Sequence, residues 1–156
     1  MGPMNKPHAG PGSLVDVARR MIAGELEAPP IAHTIGFTMT AIGEGTARFE
    51  MDADPARHAN PMGTVHGGVL CDIADGAMGM AFASTLGAGE SFTTLELKIN
   101  YLKPVWRTHL VADARVVKRG REIGLAECDV VDGDGSLVAR ASSTCMVLRG
   151  EKAAGR

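Results

Sequence analysis

The sequence predicts an α+β domain in which an antiparallel sheet of about six strands wraps around one long central helix. Three observations predict it. A proline-free run of small and apolar residues from about Val65 to Leu86 is long enough for about five to six helical turns. After it, several short stretches alternate apolar and polar residues with period two, separated by turn signals. Two further strand-like stretches precede it, so strands run in meander order around one long helix, the pattern of an antiparallel sheet.

The elements follow in order. Residues 1–12 read as a disordered tail, rich in glycine and proline. Residues 13–29 form an N-terminal helix segment: Leu14, Val17, Ala18, Met21 and Ile22 recur at helical spacing behind a Ser13 N-cap, and Pro29–Pro30 stop the chain. The main domain spans residues 30–149. "HTIGFTMTAI" and "EGTARFEMDA" read as two strands around a turn at Gly43–Gly45, and "DPARHANPMG" as a loop. The long helix ends at "GAGES". In "TTLELKINY", Leu95, Leu97, Ile99 and Tyr101 alternate with Thr94, Glu96, Lys98 and Asn100, a half-buried strand. "HLVADARVV" and "EIGLAECDVV" flank the turn "KRGR". "DGDG" is a turn, and "SLVARASSTCMVL" the last strand, with Arg140, Ser142 and Thr144 on one face and Ala139, Ala141 and Cys145 on the other. Residues 150–156 read as a second disordered tail.

The chain has 156 residues, 45% of them hydrophobic, and a net charge of -2. That suits one globular domain and gives no broad attraction to nucleic acid. No apolar stretch is long enough to cross a bilayer, and the first residues lack the apolar segment of a secretory signal. Cys71, Cys128 and Cys145 lie wide apart in apolar segments, as buried reduced thiols of a cytoplasmic protein do. The histidines show no ligand spacing, so no metal site is expected. No nucleophile elbow, phosphate loop or dinucleotide fingerprint occurs. One helix covers only one face of such a sheet, so its other face or an edge is expected to meet a second subunit.

The stretch "NPMGTVHGGVLCDIAD", Asn60 to Asp75, concentrates the chemistry. A helix start leaves N–H groups without partners and carries partial positive charge. Glycine at 67 and 68 lets a ligand approach that backbone, which suits a carbonyl oxygen gaining charge. The same glycines also suit close packing of helix on sheet, and local physics leaves the two open. Asp75 falls at the border of the apolar arc, near Cys71 and Phe82, where a carboxylate is partly desolvated. Asp72 reads as an exposed acid aiding the helix dipole. His66 is a candidate general base, though a histidine beside a helix start often bonds backbone instead, and His58 reads as an ordinary loop residue.

These residues, with "TTLELKINYLKPV" and "KRGREIGLAECDVVDGDGSLVARASSTCMVL", resemble the hotdog-fold acyl-CoA thioesterases, in their PaaI-like (phenylacetate-pathway) branch. The resemblance covers about residues 30–148. It implies a homodimer, commonly paired into a homotetramer, with active sites at the subunit interface. It implies that the Gly67 N–H polarises the thioester carbonyl, with Asn60 close by, and that Asp75 of the other subunit acts as general base on water or as nucleophile. It also implies an assisting hydroxyl on the strand after the helix, Thr94 by position, or Thr93 by a one-residue slip. No cofactor is implied, because coenzyme A is part of the substrate. For the phosphates of coenzyme A the candidates are Arg119 and Arg121 in the basic turn, and Lys103. Each also reads as an ordinary solvated charge.

Two other readings of the same domain are a hydratase or dehydratase of acyl-CoA, which His66 keeps open, and a non-catalytic acyl-CoA-binding module. The second lacks an appended DNA-reading domain, since the short segment before the first strand is not notably basic.

Overall fold

The computed structural model describes residues 13–154. Residues 1–12 and 155–156, assigned above to the two tails, lie outside the described residues. Six strands form one antiparallel sheet: β1 (Phe37–Gly43), β2 (Thr46–Ala53), β3 (Ser91–Tyr101), β4 (Thr108–Arg119), β5 (Ile123–Val131) and β6 (Leu137–Leu148). Their spatial order is β1-β2-β4-β5-β6-β3, which leaves β1 and β3 at the two edges. The expected α+β architecture of about six strands around one long helix is the one observed.

Four helices accompany the sheet: α1 (Leu14–Ile22), α2 (Pro30–Ile35), α3 (Pro55–His58) and the long α4 (Gly67–Ala83). Helix α4 lies in the concave face. It buries Leu70, Ile73, Ala74, Ala77, Met78, Ala81, Phe82 and Ala83 against inward residues of the sheet such as Phe49, Leu110, Ala112, Ala126 and Cys128. Each large side chain so buried stabilises the fold by about 1.5–3 kcal/mol. Small residues opposite the helix let it come close. At Gly124 of β5, an added Cβ would sit only 2.3 Å from the Phe82 ring.

Five expectations about the elements need correction. The N-terminal helix does not reach residue 29 but ends at Ile22. Pro30 does not merely stop a helix. It opens α2, because its fixed φ suits the first helical position, and Gly36 closes that helix with a left-handed φ of 96°. The first strand therefore begins at Phe37, after His33–Ile35 have been taken into α2. The loop after β2 contains a turn of helix at α3. Past the main domain, Gly150–Ala153 form a 3-10 turn within the segment expected to be frayed.

One local irregularity affects the site. The pairing of β3 with β6 slips between Thr94 and Glu96, a bulge at Leu95. The simple alternation placed Thr94 on the face opposite Leu97. The bulge resets the phase. Thr94 pairs with buried Cys145 and Leu97 with buried Ser143, so both face the helix, while Leu95 is 52% exposed.

Much of the outer face of the sheet is polar, while Ile123 and Leu125 of β5 stand exposed at one end of it. Arg48 forks onto Asp113 and Arg140 onto Asp129, Arg115 meets Glu127, and His109 sits between Asp52 and Glu50. Such exposed pairs add little stability, but they make the part of the face that bears them a poor apolar contact.

Candidate active site

The start of α4 is tied down from three sides. The His66 N–H donates to the His58 carbonyl at 2.7 Å. The His58 ring is buried, accepts the Asp54 N–H on Nδ1 and donates from Nε2 to the Ile35 carbonyl. His58 is therefore a clamp between α2, α3 and the loop, rather than an ordinary loop residue. His66 is the N-cap of α4, and its Nδ1 accepts the Gly68 N–H at 2.9 Å. An imidazole that caps a helix through Nδ1 carries its proton on Nε2, which removes it as a general base in this geometry.

The helix-start donors can be counted. Gly68 N–H goes to the His66 ring and Val69 N–H to the His66 carbonyl. Among the described residues the Gly67 N–H has no acceptor. Of the two glycines, only Gly67 keeps a free donor at the positive end of the helix. Gly68, a candidate substrate contact, has its N–H occupied.

At both glycines an added side chain would have to displace a neighbouring exposed ring. A Cβ at Gly67 would lie 2.8 Å from Cζ and 2.9 Å from Oη of Tyr101, and one at Gly68 would lie 2.9 Å from the His66 ring. Tyr101 was not singled out from the sequence. Its hydroxyl donates to the Gly67 carbonyl at 3.0 Å, across 34 residues of chain.

Asn60 lies in the loop leading to the helix. Its side chain accepts the Met62 N–H and donates to Thr64 Oγ1, both at 2.9 Å, and its backbone N–H bonds the Thr64 carbonyl. In the single chain Asn60 shapes the loop.

Asp75 lies on the strip of α4 that stays accessible, with Asp72 one turn before it. Burial by its surroundings, and then the Asp72 charge, raise the Asp75 carboxyl above the usual 3.8. Asp72 is raised by burial as well, partly offset by His66. Beside this strip runs β3, antiparallel to the helix: Tyr101 covers Gly67 at one end, and Phe92 covers Gly79 near the other. Thr94 faces the same space. Its partner Cys145 has a thiol raised by burial, lowered by bonds from Ser143 and Thr94, and raised again by Asp75. The structure thus brings Asp75, Thr94 and Cys145 into one neighbourhood, and Gly67, His66 and Tyr101 into another.

The basic candidates stand apart from both. Arg119 is held by Glu90 at 2.9 Å and by the Gly120 carbonyl, with its guanidinium 5.3 Å from the Phe82 ring centre, at the far end of α4 from Gly67. Lys103 pairs with Asp132 at 2.5 Å, and Asp132 also accepts the Asp134 and Ser136 N–H groups of the "DGDG" turn. Arg121 alone of the three keeps an exposed side chain without an ion pair among the described residues, beside Arg149 and Lys152 around a surface groove. Among the described residues no group of acids, histidines or cysteines is arranged to hold a metal ion, and no helix is long and apolar enough to cross a membrane. All three cysteines are free, and burial pushes the Cys128 thiol up to about 12.

Residues 62–139 match the family model of the Thioesterase superfamily. The fold superposes on a phenylacetic acid degradation-related protein from Ralstonia eutropha JMP134 with a TM-score of 0.73 at 34% identity, over 83% of this chain and 98% of that one. The PaaI protein of the E. coli phenylacetic acid degradation operon superposes with a TM-score of 0.76 over 88% and 98% of the two chains, and at 24% identity that likeness is one of fold. Acyl-coenzyme A thioesterase 13 of Mus musculus is 28% identical over 90 residues, which are 56% of this chain and 64% of that protein. Against two archaeal relatives provisionally named esterases, from Saccharolobus solfataricus and Halobacterium salinarum, the chain is 32% and 36% identical and spans 61% and 60% of their lengths. The architecture is the hotdog fold of these thioesterase structures.

Proposed function

The chain belongs to the thioesterase superfamily, and from that premise we propose that it hydrolyses acyl-coenzyme A thioesters to a free acid and coenzyme A. The observation that carries this reading is the unoccupied Gly67 N–H at the start of a helix that also bears a raised carboxylate, Asp75.

The chemistry follows from those two groups. The Gly67 N–H donates a hydrogen bond to the thioester oxygen, and the bond strengthens as that oxygen gains charge. Asp75 takes the proton of a water whose oxygen attacks the carbonyl carbon, or itself attacks that carbon to give an anhydride that water then opens. The C–S bond breaks and the electron pair leaves with the coenzyme A sulfur. A raised carboxyl pKa favours the base role, because a base works best with its pKa near the working pH.

On this reading the two groups act from different subunits. At about 1.5 Å per residue, Gly67 and Asp75 of one helix stand about 12 Å apart along the axis. Each must lie about 3 Å from the reacting group. One helix cannot serve one carbonyl with both, so the partner subunit's Asp75 completes the site around this chain's Gly67. The edge strand β3 supplies the contact: it is long, its outer edge is unpaired among the described residues, and Leu95 is exposed on it. Twofold pairing of two β3 strands lays two α4 helices side by side in opposite directions, so the start of each approaches the middle of the other. Pairing of such dimers into a homotetramer is part of the same reading.

Asn60, at the loop before Gly67, and Thr94, beside the Asp75 strip, assist from either side. Arg121 takes the phosphates of coenzyme A, with Arg149 and Lys152 near it. The occupied Nδ1 of His66 argues against the hydratase reading, and the free cysteines suit a cytoplasmic enzyme. The test is a panel of acyl-CoA substrates, from short aliphatic through aromatic to long-chain, with free thiol as the readout. Thiol release from at least one class is expected. Loss of enoyl absorbance without thiol, or tight acyl-CoA binding without turnover, would overturn the hydrolase reading.

A further inference from the structure

Two successive glycines at a helix start are the least constrained backbone a helix can begin with. The Gly67 N–H is useful to a substrate only if its peptide is held in one orientation. His66 fixes the neighbours of this peptide through the Gly68 N–H and the His58 carbonyl. The remaining contact comes from outside the loop, from the last residue of β3. The Tyr101 ring lies so close over the Gly67 Cα that an added Cβ would meet it at 2.8 Å, and its hydroxyl donates to the Gly67 carbonyl.

We propose that Tyr101 is the positioning residue for the Gly67 donor: its ring and hydroxyl hold the Gly67 Cα and carbonyl, and so fix the backbone turn from which the N–H of the preceding His66–Gly67 peptide points at the thioester oxygen. A side chain at 67 would have to push the Tyr101 ring aside, since the ring occupies that space. Burial, and then Cys71, raise the Tyr101 phenol above its usual value, so it remains an O–H donor throughout the neutral range. Tyr101 also links the two halves of the site, because β3 carries Thr94 beside Asp75 and forms the edge through which the subunits pair. The inference rests on the hydrolase reading for its catalytic consequence, and on the geometry alone for its structural one.

The test uses Tyr101→Phe in the full chain, which keeps the ring and deletes the hydroxyl. The kcat for an acyl-CoA falls about fivefold while KM stays within about twofold, the loss expected of one hydrogen bond acting on the transition state. The ¹H–¹⁵N resonance of the Gly67 amide moves and its exchange quickens, with an unchanged melting temperature. In a Tyr101→Ala background, Gly67→Ala loses less activity than it does alone, because the Cβ no longer meets the ring; if Tyr101→Ala does not fold, the Phe variant carries the test. A Tyr101→Phe enzyme with wild-type kcat and an unmoved Gly67 resonance would overturn the inference. A wild-type protein that releases no thiol from any acyl-CoA overturns the hydrolase reading instead, and the Gly67 resonance then decides on Tyr101 by itself.

Discussion

Gly67 and Asp75 lie on one helix, about two turns and 12 Å apart, and belong to different chemical neighbourhoods. The first has an N–H with no acceptor among the described residues. The second is a carboxylate raised by burial on the accessible strip beside the edge strand. Their separation is too large for joint work on one carbonyl within a chain, and the twofold pairing proposed above would bring each to the other's counterpart.

Replacing Asp75 with alanine is expected to lower thioester turnover by at least ~10²-fold, the usual contribution of a positioned base. The fold should survive, since Asp75 makes no hydrogen bond that shapes α4. Circular dichroism with free-thiol release on the purified variant checks both halves. Near-normal turnover would remove Asp75 from the mechanism.

The raised carboxyl of Asp75 also sets a pH dependence. As a base it works only when ionised, so kcat/KM should fall on the acid side, at a pH above the usual carboxylate value of 3.8. Asp72→Asn removes a like charge and should move that limb to lower pH. For stability the sign is opposite. A carboxyl raised in the folded state holds its proton more tightly than in the unfolded chain, so stability is lost as pH rises from the usual value through the raised one. Asp75→Asn should therefore raise the melting temperature at neutral pH, with the gain vanishing below 3.8. Melting curves across that range test it.

Asn60→Ala is expected to lower kcat by about tenfold or less, a smaller loss than at Asp75. Its two side-chain bonds shape the loop that delivers Gly67, so the effect comes through alignment. A loss equal to that of Asp75→Ala would give Asn60 a direct share in the chemistry.

The three basic candidates should separate. Arg121→Ala should raise KM for acyl-CoA with little change in kcat, and the effect should weaken at high salt. Arg119→Ala and Lys103→Met should instead lower the melting temperature with KM unchanged, because their charges serve Glu90 and Asp132 within the fold. Titration of KM against salt for the three variants distinguishes the roles.

The long helix and the late strands were legible because their burial patterns are written in local composition. The run from Val65 carries the core of α4, and Ala139, Ala141 and Cys145 do face inward. What was not legible depends on distant partners or on backbone phase. Pro30 looked like a stop because proline ends helices as readily as it begins them. The bulge at Leu95 left the letter pattern of β3 intact while moving Thr94 to the helix side. The Tyr101–Gly67 bond spans 34 residues and the Arg119–Glu90 pair 29, and neither leaves a local trace. The occupied N–H of Gly68 follows from the His66 rotamer, which no spacing rule gives.

The most direct test of a site shared between subunits is complementation between two inactive variants, Asp75→Ala and a Gly67 variant with a bulky side chain. Each alone lacks one group at both sites of its dimer. After subunit exchange, about half of the dimers are mixed, and each mixed dimer holds one site with an intact Gly67 from one chain and an intact Asp75 from the other. Recovery of up to about one quarter of wild-type thiol release is the predicted result. Mixed dimers, verified by mass, that remain as inactive as their parents would contradict it.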